Sequence, residues 1–216
     1  MKIFSVRSVP STKWSSDKPL NFSPKPITIF ILCFGLFLFG LGESLIITAS
    51  VGMSPWTVLA EGLSITTGYS IGTLTFLISL GVLLLWIPLK QQAGIGTILN
   101  AIIVAAVIEW SLPYLPHPET YAMQILQAVL GTLIVGIASG IYLIANLGPG
   151  PRDGLMTGCQ KATGLPIAWV RVFLEIVVIT VGWTLGGTVG IATVIFAIGV
   201  GPAVSMGLYL IASISK

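Results

Sequence analysis

Hydrophobic residues run through this chain in six long, unbroken stretches, at 27–49, 71–89, 95–112, 121–145, 167–185 and 189–211. Each is close to the roughly 20 residues that an α-helix needs to cross a bilayer, and none shows the strict alternation of a barrel strand. The pattern predicts six transmembrane helices. Glycine and proline mark the breaks, at 52–68, 88–94, 113–118, 148–166 and at Gly186-Gly187.

Composition agrees with the pattern. Hydrophobic residues make up 55% and charged residues 8% of the 216 positions, against about a quarter charged in soluble domains. Soluble enzymes, secreted disulfide scaffolds and nucleic-acid binders are excluded on that ground. The net charge of +3 reflects where the basic residues sit around a membrane. Lys and Arg near span ends are retained on the cytoplasmic side. With the N-terminus inside, Lys2, Arg7, Lys13, Lys18, Lys25, Lys90, Arg152, Lys161, Arg171 and Lys216 all fall on the inner side, and the outer connections hold no Lys or Arg. The expected location is a bacterial inner membrane, multi-pass, with both termini cytoplasmic. Tryptophan favours the headgroup level, which places Trp56, Trp110 and Trp183 at outer ends and Trp86 and Trp169 at inner ends.

Residues 1–26, rich in Ser, Pro and basic side chains with no apolar core, read as a mobile cytoplasmic tail rather than a cleaved secretory signal. A plastid or mitochondrial transit peptide shares that composition. Residues 27–216 form one transmembrane domain. Cys33 lies within the first span and Cys159 on the inner side, so they do not pair.

The chain is also a duplication. Sliding it by 96 residues without a gap matches 15 of 65 positions between 35–99 and 131–195. Shared apolar residues alone would mean little, but Gly35/Gly131, Gly40/Gly136, Gly52/Gly148, Pro55/Pro151, Gly62/Gly158, Gly68/Gly164 and Gly94/Gly190 also coincide. The units run over about 27–115 and 121–212. Each holds a long span, a short polar segment and two further spans. Three is odd, so the second unit enters the membrane from the opposite side, and the predicted fold is all-α with two inverted three-helix repeats. Such repeats underlie many secondary transporters, where the interface between units opens alternately to each face.

The polar segments 52–68 and 148–164 each read as a glycine turn and a short helix, with Pro55 or Pro151 at the first position and Ser54 or Gly150 as N-cap. At about 20 Å these helices are too short to cross. They either lie along the interface, with Leu155, Cys159 and Ala162 buried, or dip in so that their N-termini meet as a site for an anionic group.

Ionisable groups within spans are costly and face a partner, a bundle interior or water. Arg171 and Glu175, four apart on the fifth span, can bridge. Glu43, about 9 Å below the outer end of the first span by helix rise, has no basic residue predicted in its leaflet and is the candidate proton or cation relay. Glu109 beside Trp110 reads as an interfacial carboxylate, Asn100 as helix-to-helix glue, and Gly136 and Gly140 as close packing. Asp153 is expected to pair with Arg152 or Arg171. The candidate solute or ion-coupling residues are therefore Arg152, Asp153, Arg171 and Glu175 in the inner half and Glu43 with Glu61 in the outer. The lone His117 has no partners at metal-ligand spacing, and no phosphate-cradling loop, Gly-x-Ser-x-Gly or Cys/His pair is present. The expectation is a non-enzyme with no metal and no cofactor.

At Gly52-Met53-Ser54-Pro55-Trp56, at Gly148-Pro149-Gly150-Pro151-Arg152-Asp153-Gly154-Leu155-Met156 and at Gly186-Gly187-Thr188-Val189-Gly190, the sequence resembles the bacterial YczE/YyaS/YitT-like integral membrane proteins. The resemblance runs from about Phe34 to Leu210. It implies location and fold and offers no established substrate. Family members commonly carry Asp after the Ser-Pro-Trp, where this chain has Thr57; Glu61, one turn on, is the nearest substitute.

Together these features predict a secondary transporter or permease for a small solute, working by alternating access in the lipid bilayer. The alternative is a non-transporting scaffold, sensor or assembly factor. A protein partner through the basic tail, or a second copy of the chain, is the expected company, and nucleic acid is not.

Overall fold

The computed structural model describes residues 11–214. Within them the chain is helical: α1 (Pro26–Thr48), α2 (Pro55–Thr67), α3 (Ile71–Trp86), α4 (Ile95–Ser111) continued by a single 3-10 turn at Leu112–Tyr114, α5 (Tyr121–Ile144), α6 (Pro151–Thr163), α7 (Ile167–Thr184) and α8 (Ile191–Ile214). The helix starts Pro55 and Pro151, Ile71 and Ile167, and Ile95 and Ile191 are each 96 residues apart. So are all the places where the backbone turns left-handed: Ser50 and Asn146, Gly52 and Gly148, Gly68 and Gly164, Lys90 and Gly186. The two units share one backbone plan, and α1–α4 and α5–α8 are counterparts.

Local chemistry explains the plan. Pro55 and Pro151 open the short helices, where a missing N–H costs nothing. Gly68 and Gly164 close them in the left-handed region, each returning its N–H to the carbonyl four residues back.

Among the described residues, five helices are long and apolar enough to cross a membrane alone: α1, α4 with its 3-10 turn, α5, α7 and α8. The predicted second span is shorter than its apolar run suggests. The helix α3 has 16 residues and ends at Trp86, with Ile87 still in the helical region as its C-cap and Pro88, which has no N–H to carry the ladder on, just beyond. It reaches span length only together with α2, from which it is bent by 114°. Large apolar side chains such as Phe30, Leu84, Phe173 and Ile198 are exposed around the bundle, the surface that lipid covers.

The long helices α1 and α5 form the centre, α1 against α5 and α4, and α5 against α8. Small residues set these approaches. A Cβ on Gly42 would lie 2.9 Å from the carbonyl oxygen of Gly131, and one on Gly136 2.2 Å from Ala203 Cβ; close packing at Gly136 and Gly140 against α8 is what their spacing predicts.

The short helices are exchanged. The helix α2 of the first unit packs chiefly on α7 of the second, and α6 packs on α3 of the first. Gly62 meets the backbone of Gly182, and Gly154 takes the face of Trp86, whose Nε1 donates to Pro151 O at 3.0 Å. The loops are exchanged too: Gly96 N donates to Leu147 O (2.7 Å) and its counterpart Ala192 N donates to Val51 O (2.9 Å).

One sequence expectation is corrected here. Trp110, Trp169 and Trp183 are exposed, as a headgroup belt requires, but Trp56 and Trp86 are buried and belong to one core cluster with Val82, Leu155 and Val178. The span-end rule cannot separate an indole facing lipid from one seated between helices. Part of the predicted tail contacts the bundle: Ser16 is buried, its N–H donates to Ala145 O (3.0 Å), Asn146 Nδ2 donates to Ser16 O (2.8 Å), and Thr28 Oγ1 donates to Trp14 O. Residues 1–10 of that predicted tail lie outside the described residues.

Candidate functional site

The short helices enter the molecule N-terminus first. Pro55, Trp56, Thr57 and Val58 are buried at the start of α2 and Ile65 near its end is exposed; Pro151, Gly154, Leu155 and Met156 are buried in α6, while Lys161 and Ala162 are exposed. Of the two arrangements the sequence left open, these buried first turns favour the one in which the N-termini meet.

Where their first turns meet there is a cavity of about 250 Å³. Its wall pairs off under the 96-residue shift: Phe39 with Val135, Pro55 with Pro151, Trp56 with Arg152, Thr75 with Arg171, Ser79 with Glu175, Asn100 with Phe196 and Val104 with Val200. The cavity therefore lies on the seam between the units, with its charge drawn from the second. The first unit supplies hydroxyls and an indole at the same positions.

Arg152 lies over the indole of Trp56, its Cζ 5.4 Å from the ring centroid. Glu43, Asp153 and the Tyr142 hydroxyl are all within its electrostatic reach, yet Arg152 forms no direct ion pair among the described residues. Asp153 instead accepts a hydrogen bond from the Tyr142 hydroxyl at 2.6 Å. The expected pairing of Asp153 with Arg152 or Arg171 is thus replaced by a neutral partner, because successive residues on a helix point about 100° apart and do not face each other. Arg171 pairs with Glu175, Nε to Oε1 at 2.8 Å, as their spacing predicts.

Glu43 is 1% exposed. Its Oε2 accepts from both Ser54 Oγ (2.7 Å) and Thr57 Oγ1 (2.9 Å), and its Oε1 has no partner. Ser54 stands at the N-cap of α2, but its hydroxyl makes no cap bond and is spent on Glu43 instead. Thr57, the counterpart of Asp153, completes the contact. Each unit thereby joins its long helix to its short one by a hydroxyl–carboxylate bond with the roles reversed: Glu43 with Thr57 in one, Tyr142 with Asp153 in the other.

Glu61 does not join this group. One turn beyond Thr57, it accepts from the N–H and hydroxyl of Thr188 and so braces the turn after α7. Glu109 approaches Gly72 at the α3–α4 contact and lines no part of the cavity. The sequence reading missed Trp56, Thr75, Ser79 and Tyr142. The first three are legible, since they are the counterparts of Arg152, Arg171 and Glu175. Tyr142 is not, because its counterpart is Ile46. The Thr75 hydroxyl is buried on the cavity wall without a hydrogen-bond partner.

A duplicated bundle of apolar helices around a charged internal cavity defines a multi-pass helical membrane protein. The chain belongs to DUF6198, a family of unknown function, whose pattern matches residues 26–207. It is 41% identical over 207 residues to an uncharacterized protein of Haemophilus influenzae, covering 96% of this chain and 94% of that one. It is 32% identical over 168 residues to the uncharacterized membrane protein YczE of Bacillus subtilis, covering 76% and 77%. No solved structure matches it.

Proposed function

We propose that this protein is a secondary transporter or permease for a small solute, working without covalent chemistry in a bacterial inner membrane with both termini cytoplasmic. The observation that carries the reading is the cavity on the seam, walled by counterpart residues of the two units. A site so placed is reached from either face when one unit rocks against the other. Three spans per unit and the one-sided distribution of Lys and Arg support units threaded in opposite senses, so that α2 and α6 reach the seam from opposite faces. Arg152, Asp153, Arg171 and Glu175 are the solute-facing residues, and Glu43, buried beside them with one oxygen unpartnered, is the ion-coupling group.

Solute flux into proteoliposomes containing only this protein tests the reading. Arg152→Gln and Glu175→Gln are expected to abolish flux while leaving the protein folded. Compartment reporters near residues 61 and 161 are expected on opposite sides of the membrane, and reporters on one side would overturn the opposed threading. A second reading, a membrane scaffold or sensor, draws on the docked segment 11–25, which fastens to the loop at Ala145 and Asn146. Flux by the purified protein excludes it.

A further inference from the structure

We propose that the seam cavity receives a small zwitterion, a molecule such as an α-amino acid that carries a carboxylate and an ammonium a few bonds apart. The inference rests on reading the cavity as a solute site and names its class of solute.

Four charged side chains line the cavity, Arg152, Arg171, Asp153 and Glu175, and their charges sum to zero. Arg171 and Glu175 satisfy each other. Arg152 and Asp153 do not. They are successive residues of α6, and each is held by a neutral aromatic group, the Trp56 indole for the cation and the Tyr142 hydroxyl for the anion. The wall thus offers a positive and a negative group side by side, neither in a direct ion pair among the described residues. A simple anion would satisfy Arg152 but face Asp153, and a simple amine would satisfy Asp153 but face Arg152. A zwitterion meets both groups.

A separate observation also points to a ligand. The Thr75 hydroxyl on the same wall is 2% exposed and has no partner, so it is free to bond a bound molecule. Ser79, Asn100 and Ser139 add further polar groups, while Phe39, Val135, Phe196 and Val200 give the wall an apolar part that suits an aliphatic or aromatic side chain. A volume of about 250 Å³ lies below the roughly 300–1,000 Å³ of sites for drug-sized ligands, which selects a small metabolite.

The test uses the full chain in lipid nanodiscs. L-alanine, L-leucine and L-phenylalanine are each compared by calorimetric titration and melting shift with two relatives. One lacks the amine (propionate, 4-methylpentanoate, 3-phenylpropionate) and the other lacks the carboxylate (ethylamine, 3-methylbutylamine, 2-phenylethylamine). At least one amino acid is expected to bind and raise the melting midpoint, with both its relatives weaker by about tenfold or more. Asp153→Asn is expected to erase the preference for the amino acid over its amine-free relative, a change of selectivity that misfolding does not produce. Arg152→Lys, which keeps the charge, serves beside Arg152→Gln as the variant that retains binding. An acid or amine that binds as tightly as its amino acid overturns the proposal, as does absence of binding by every compound. Transport of a bare carboxylate would overturn it and leave the transporter reading standing. Binding of an amino acid that is never carried would do the reverse.

Discussion

Arg152 and Trp56 stack against each other at 5.4 Å, and they are each other's counterparts in the duplicated units. The same backbone position, copied once, carries a cation in one unit and the ring that accepts it in the other. A symmetric pair of arginines would repel, and a symmetric pair of indoles would leave Asp153 without a cation next to it on the cavity wall. Divergence at this position created the contact that joins the two short helices.

That contact gives the first prediction. A double-mutant cycle on Trp56→Leu and Arg152→Gln should show a coupling of about 1 kcal/mol, within the range of cation–π pairs. Unfolding of the purified protein in mixed micelles measures it, and additive single effects would remove the contact from the account.

Glu43 gives the second. Replacing it by Leu removes the acceptor that Ser54 and Thr57 share; the two hydroxyls still bond each other at 2.9 Å, which leaves one buried donor unsatisfied at a cost of about 1–3 kcal/mol. Glu43→Gln keeps an acceptor oxygen and should cost distinctly less in the same assay, while removing any ion-coupled step in flux measurements. Equal loss from Leu and Gln would show that the carboxyl charge itself, rather than its hydrogen bonds, supports the fold.

The exchanged loops give the third. A Cβ at Gly190 would stand 2.4 Å from Val51 O, and one at Gly94 2.3 Å from Leu147 O. Both are backbone obstacles, so Gly190→Ala and Gly94→Ala should each destabilise by about 1–3 kcal/mol, as overpacking does. Gly81, in α3, has open space around its Cβ position, and Gly81→Ala should stabilise by about 0.5–1 kcal/mol through helix propensity. Thermal denaturation in detergent distinguishes the two classes.

The docked segment gives the fourth. Asn146 sits at φ 51° and holds Ser16 O. Asn146→Ala loses the bond and puts a less tolerant residue in the left-handed region, where the strain is about 1–2 kcal/mol. Asn146→Gly loses the bond alone. Both should speed tryptic cleavage after Lys13, and the alanine variant should lower the melting midpoint further than the glycine variant.

The fold was legible largely because its signals are covalent or repetitive. Helix starts at Pro55 and Pro151, closures at Gly68 and Gly164, and the long apolar runs are all fixed by local chemistry. Arg171 with Glu175 was legible for the same reason, as two charges one helical turn apart. What escaped was set by packing between units. Trp56 and Trp86 look like headgroup residues until α6 and α7 cover them. Asp153 finds Tyr142, eleven residues back, across a loop whose path no spacing rule gives. Glu61, placed with Glu43 by sequence, is drawn off by Thr188. The segment 11–25 has the composition of a loose chain, and it takes the carbonyl of Ala145 and the side chain of Asn146 to hold it.

The exchange of α2 and α6 bears on how the molecule is made. When the ribosome has delivered only the first half, the glycine face of α2 at Gly62 has no seat, for its seat is the backbone around Gly182. Insertion into lipid and final closure are consequently separate events, the second waiting on nearly the whole chain. A prematurely ended product is left with an unsealed flank that marks it for proteolysis, and no self-sufficient half is available to rescue it.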